Sequence, residues 1–164
     1  MFELGACGWP GAPRPGGGRT QFAVRGNFDR LNILAEAKWI YASEAPLRGV
    51  KSASVFRNKM GHCRGIVLSY VNGGARALGQ CRVNEDAAEL VMWPKRMCFC
   101  LDQVPAFYYG SDTHVTIVKF ATDNGPDHGH APEEWICVLE LRGLLQFGFT
   151  AGNETVIDVI EEDA

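Results

Sequence analysis

Gly65-Ile66-Val67-Leu68-Ser69-Tyr70-Val71-Asn72-Gly73-Gly74-Ala75-Arg76-Ala77-Leu78-Gly79-Gln80-Cys81-Arg82-Val83 is the stretch on which the fold class turns. Two runs enriched in β-branched and aromatic residues flank Asn72-Gly73. Both of those residues tolerate the positive φ of a tight hairpin turn, so the stretch reads as two antiparallel strands. A two-residue loop sets Tyr70 opposite Ala75, Leu68 opposite Ala77 and Ile66 opposite Gly79. It also keeps Arg64 and Arg82 out of direct opposition, whereas a three-residue loop that paired them would set like charges face to face. Small residues facing large ones imply that another layer packs closely against this hairpin.

Toward the C-terminus, strand signals recur at the spacing of an all-β domain. Glu89–Trp93 is one, ended by Pro94; Met97–Leu101 is another, with Cys98 and Cys100 on one face. His114–Thr122 alternates and stops at Asp123-Asn124-Gly125. Glu134–Leu141 and Leu144–Thr150 flank Gly143 as an expected hairpin, and Thr155–Ile160 follows. No segment after residue 62 carries a helical period. Toward the N-terminus, Phe22–Arg25 and Lys38–Ser43 read as strands and Asn27–Glu36 as a short helix. Residues 44–60, broken by Pro46 and Gly49, read as loop. Residues 1–19 hold six Gly and three Pro and read as a flexible arm without the pattern of a phosphate-binding loop. The expected architecture is therefore an arm over 1–19 and one mainly β domain over 20–164. That domain is an antiparallel sandwich or open barrel of eight to ten strands, with at most one or two short helices.

Composition sets the outer bounds. With 164 residues, a hydrophobic fraction of 46% and a charged fraction of 21%, the chain is neither wholly disordered, collagen-like nor a coiled coil. No apolar run is long enough for a membrane-spanning helix. The net charge of -3 hides a split: residues 1–82 carry twelve Lys/Arg against four Asp/Glu, residues 83–164 four against fifteen. Such a split suits self-association or a charged protein partner, or else neutralisation across strands that pair distant segments. The charges come singly, which favours a protein partner or homodimer over nucleic acid. Met1-Phe2-Glu3-Leu4-Gly5 lacks the basic and apolar regions of a secretory signal, so an intracellular (cytoplasmic or nuclear) setting is expected. On that reading Cys7, Cys63, Cys81, Cys98, Cys100 and Cys137 are reduced and act as small core residues.

The hairpin stretch, extended back to Cys63-Arg64, resembles a segment in uncharacterised proteins of filamentous fungi. There a Gly-led strand, an Asn-Gly or Asp-Gly turn and a Leu-Gly-Gln-x-Arg strand recur. Leu141-Arg142-Gly143-Leu144-Leu145-Gln146-Phe147-Gly148-Phe149 is similar to the closing segment of those proteins, although Phe147 and Gly148 stand where that pattern has tryptophans. The resemblance covers residues 62–83 and 139–150, about a fifth of the chain. It implies a fungal intracellular protein or a piece of a larger one, and it carries no catalytic residues across.

Two groups of side chains stand out as candidate sites. Asp127, His128 and His130, with His114 within reach, combine imidazole and carboxylate donors of the kind that hold Zn²⁺. They lie in a loop between Pro126 and Pro132, where a solvated polar segment is the plainer expectation, so no cofactor is expected. Phe107, Tyr108 and Tyr109, with Trp93, form an aromatic concentration suited to a ligand pocket or interface. Cys98-x-Cys100 lacks the spacing of a metal knuckle. The expected function is a non-enzymatic β-rich binding or interaction domain that self-associates through complementary charge. The alternative is a small β-barrel enzyme or carrier of a small apolar ligand, with its pocket between the 105–114 and 123–133 loops.

Overall fold

The computed structural model describes residues 41–105, 113–123, 135–151 and 153–160. Ten strands occupy them: β1 Tyr41–Pro46, β2 Val50–Arg57, β3 Cys63–Tyr70, β4 Ala75–Gly79, β5 Ala87–Met92, β6 Arg96–Val104, β7 Thr113–Ala121, β8 Ile136–Leu139, β9 Leu144–Phe149 and β10 Thr155–Ile160. They form three antiparallel sheets: sheet A in the order β1-β9-β10, sheet B in the order β4-β3-β2-β5, and sheet C in the order β7-β6-β8. None of the sheets closes into a barrel, and the described residues contain no helix. The fold is mainly β, as the strand periodicity from residue 62 onward requires. The expected arm over 1–19, strand over 22–25 and helix over 27–36 lie outside the described residues.

The core forms where the inner faces of the sheets meet. Ala53, Val55, Ile66, Leu68 and Leu78 from sheet B pack with Leu145, Phe147 and Ile157 from sheet A and Met97, Phe99 and Val118 from sheet C, all almost fully buried. Polar bridges tie one sheet to the next. The Gly79 amide donates to Ser43 Oγ at 3.1 Å, joining β4 to β1. The Thr116 amide donates to Thr155 Oγ1 at 2.9 Å, and Thr116 Oγ1 donates to the Thr155 carbonyl at 3.1 Å, joining β7 to β10. Arg57 reaches from β2 to the Val118 carbonyl of β7 and also pairs with Glu89 of β5 at 2.9 Å.

Four expectations are corrected. The β3–β4 hairpin exists, but its register is one residue away from the expected one: Ser69 faces Ala75, Val67 faces Ala77, Ile66 faces Leu78 and Gly65 faces Gly79. This register puts Ile66 and Leu78, both fully buried, on the same inner face. A one-residue slip would turn Leu78 outward, and that burial outweighs the preference for a two-residue turn. The loop accommodates it: Gly73 takes φ +86 and Asn72 Oδ1 accepts from the Gly74 amide at 3.0 Å.

Residues 44–60, expected as loop, hold the end of β1 and all of β2, an inner strand of sheet B. Ala53 and Val55 point inward while Ser52 and Ser54 point outward, so only half of the strand is apolar. The expected β8–β9 hairpin is absent as well. β8 pairs with β6 in sheet C and β9 with β1 and β10 in sheet A, and Gly143 lies in a connection between sheets.

The fourth correction concerns the cysteines. Cys98 and Cys137 face each other directly across β6 and β8, with Cα atoms 4.1 Å apart, and form a disulfide. Their separation of 39 residues conceals this opposition in the sequence. Cys63, Cys81 and Cys100 are buried thiols outside that disulfide, as expected of core residues.

Candidate functional site

A cleft of about 1200 Å³ opens where sheets A and C part. That is somewhat above the roughly 300–1000 Å³ of ordinary small-molecule pockets and far above a packing defect. Four stretches of chain distant in sequence build it. The β1–β2 turn contributes Leu47, Arg48 and Gly49. Strand β8 contributes all four of its residues and continues into the turn Glu140–Gly143. Val50 at the start of β2, Pro94 before β6, Phe99 of β6, and Asp158 and Val159 of β10 complete the lining.

The two turns repeat one tripeptide, Leu47-Arg48-Gly49 and Leu141-Arg142-Gly143. In each, the leucine is buried (Leu47 at 0% and Leu141 at 5% exposure), and the glycine takes a left-handed backbone, φ +77 at Gly49 and φ +91 at Gly143. The arginine between them is exposed. The Leu47 amide donates to the Gly143 carbonyl at 2.9 Å, which fixes one turn against the other. Glu140 and Leu141 also adopt positive φ, an unfavourable backbone that a surrounding structure must hold in place. Through it the chain leaves sheet C and enters sheet A.

Leu47, Val50, Phe99 and Leu141 are buried in the wall behind the cleft, and the surface it exposes is mixed, slightly more polar than apolar. Arg142 is engaged by Glu140, a surface pair of the kind worth little to stability. Arg48 has no ion-pair partner among the described residues. A guanidinium in that position can bind a carboxylate or phosphate through two parallel hydrogen bonds. Strand β8 is an outer strand of sheet C, and its Ile136 and Leu139 are 38% and 54% exposed beside the cleft.

Of the residues singled out from sequence, Phe107, Tyr108, Tyr109, Asp127, His128 and His130 lie outside the described residues, as does most of the expected pocket between the two loops. Trp93 is 56% exposed with φ +52, and its amide donates to the Lys51 carbonyl at 2.7 Å. It immediately precedes Pro94 in the cleft wall. His114 stands on β7 with Nδ1 3.8 Å from Glu154 Oε1, away from the cleft lining. The described residues contain no group of three His, Cys, Asp or Glu arranged to hold a metal ion. Cys63, next to His62 in sequence, is fully buried. Its thiol is pushed up to about 12 chiefly by that burial, and its Sγ–H points to the Gly65 carbonyl at 3.7 Å. A thiol held protonated in this way is no nucleophile.

The cleft residues were missed because they occupy the segment read as loop and the turn read as a hairpin. The doubled Leu-Arg-Gly was the available signal. Comparison with known protein families, curated proteins and solved structures finds no match to this chain.

Proposed function

We propose that the chain is a non-enzymatic binding domain whose ligand is a small amphipathic molecule with an acidic group. The apolar part lies in the cleft on Ile136, Val138, Leu139 and Val159, and the acidic group meets Arg48. The cleft with paired Leu-Arg-Gly turns at its border is the observation that carries this reading. The apolar side chains of β8 and the exposed arginines of the two turns stand at one cleft, a division that suits a molecule with two unlike ends. The reading calls for no resident cofactor.

Native mass spectrometry on protein purified gently from its host tests it, with Arg48→Glu alongside. A retained small-molecule mass on the wild type, lost or reduced at least tenfold in Arg48→Glu, is the expected result. A bare mass, together with failure of long-chain carboxylates to bind on titration, would remove the reading.

An intracellular setting belongs to the same proposal and makes a separate demand. Reducing compartments keep thiols free, whereas Cys98 and Cys137 are bonded here. Alkylating the protein at the moment of cell lysis should modify these two cysteines if the setting is intracellular, and leave them protected if it is oxidising.

A further inference from the structure

Sheet B buries one face in the core, and the two central rows of its other face carry no charged residue. Those rows follow from the strand register. One row runs Ala77, Val67, Ser54, Leu90 across β4, β3, β2 and β5. The next runs Ala75, Ser69, Ser52, Met92. All eight positions are half-buried or exposed, with Leu90 at 61% and Met92 at 44%. A solvated sheet face ordinarily carries charged and polar side chains, and this chain has sixteen Lys/Arg and nineteen Asp/Glu to supply them.

We propose that this face binds a second copy of the same chain, sheet against sheet, about a two-fold axis parallel to the strands. The argument rests on the order of residue sizes along each row. Both rows run from alanine at β4 to a long side chain at β5. A two-fold axis lying between β2 and β3 reverses each row onto itself. Leu90 then stands over Ala77 of the second copy, Met92 over Ala75 and Val67 over Ser54, so every large side chain meets a small one. Facing sheets pack about 10 Å apart by interdigitating side chains in this way. Rows without charge set no like charges against each other in such a pairing, whereas a strongly charged partner finds no counter-charge on them. Eight positions fall short of the roughly 20–30 residues a side of a stable interface. The dimer is accordingly a reversible one that forms at micromolar concentration.

Sedimentation of the full chain across that concentration range tests the proposal. The expected result is a concentration-dependent dimer that persists in high salt, and its midpoint should move at least tenfold in Leu90→Glu. That side chain is exposed in the folded domain, so the variant retains its fold. Ser54→Lys and Val67→Glu should each weaken the dimer alone and restore it when mixed, since position 54 of one copy lies over position 67 of the other. Circular dichroism reports whether those two fold, and Leu90→Glu decides if they do not. A chain that stays monomeric overturns the proposal. So does a dimer indifferent to Leu90→Glu, one that salt dissolves, or one that the mixed variants fail to restore.

Discussion

Sheet A meets its neighbours in two different ways. Against sheet B the contact is closed: the Gly79 amide bonds Ser43, and an added Cβ at Gly79 would stand 2.5 Å from the Phe147 ring and 2.6 Å from the Arg64 carbonyl. Only a residue without a side chain fits there, and its φ of +68 favours glycine for a second reason. Against sheet C the contact is closed at one end by Thr116 and Thr155 and open at the other, where the cleft lies. The difference is a matter of what fills the gap. Phe147 occupies the first junction completely, whereas at the second the chain turns away through Glu140–Gly143 and leaves the space unfilled. The closed junction joins the hairpin strand that carries Gly79 to the strand that carries Phe147.

Four measurements bear on this contrast, in order of expected size. Phe147→Ala empties the closed junction and should cost about 3–5 kcal/mol in urea denaturation. A loss under about 1 kcal/mol would mean the junction is not the keystone described here. Gly79→Ala overfills the same junction and imposes left-handed backbone on alanine, with an expected loss of about 2–4 kcal/mol. If the variant were as stable as the wild type, the close approach of Phe147 would be wrong.

At the open junction, reducing the Cys98–Cys137 disulfide releases a cross-link that holds β8 to β6. A denaturation midpoint measured with and without a dithiol reductant should differ by about 2–3 kcal/mol. No difference would show that β8 is held by its ladder with β6 alone. The smallest effect is one of pH. Burial holds the His62 imidazole below its ordinary range, partly opposed by the Asp102 carboxylate and reinforced by Arg64. The folded state thus resists the proton that the unfolded chain accepts. Stability should be full above the ordinary histidine value of about 6.5 and decline as pH falls below it. His62→Gln should flatten that decline, and an unchanged slope would assign it to another group.

Strand positions from residue 62 onward were legible because alternation there is strong, and Thr155–Ile160 is found where its residues predict it. β2 was not legible, because Ser52 and Ser54 give its outward face the look of a loop. The hairpin was legible and its register was not. Turn chemistry alone leaves a one-residue choice, and the decision came from which face of Leu78 the core required. The cleft was legible only as two copies of Leu-Arg-Gly, a signal too short to interpret before both turns are seen on one cavity. Asp127, His128, His130 and the aromatic group at 107–109 lie outside the described residues.

The sequence by itself determined that this chain folds into antiparallel strands and where most of them lie, because side-chain alternation and turn residues act over a few positions. Tertiary structure decided the rest: the register of the hairpin, the bond between Cys98 and Cys137, the separation of β8 from β9, and the cleft. Each of these depends on residues that are tens of positions apart and meet only when buried surface, rather than local preference, fixes which segments are neighbours.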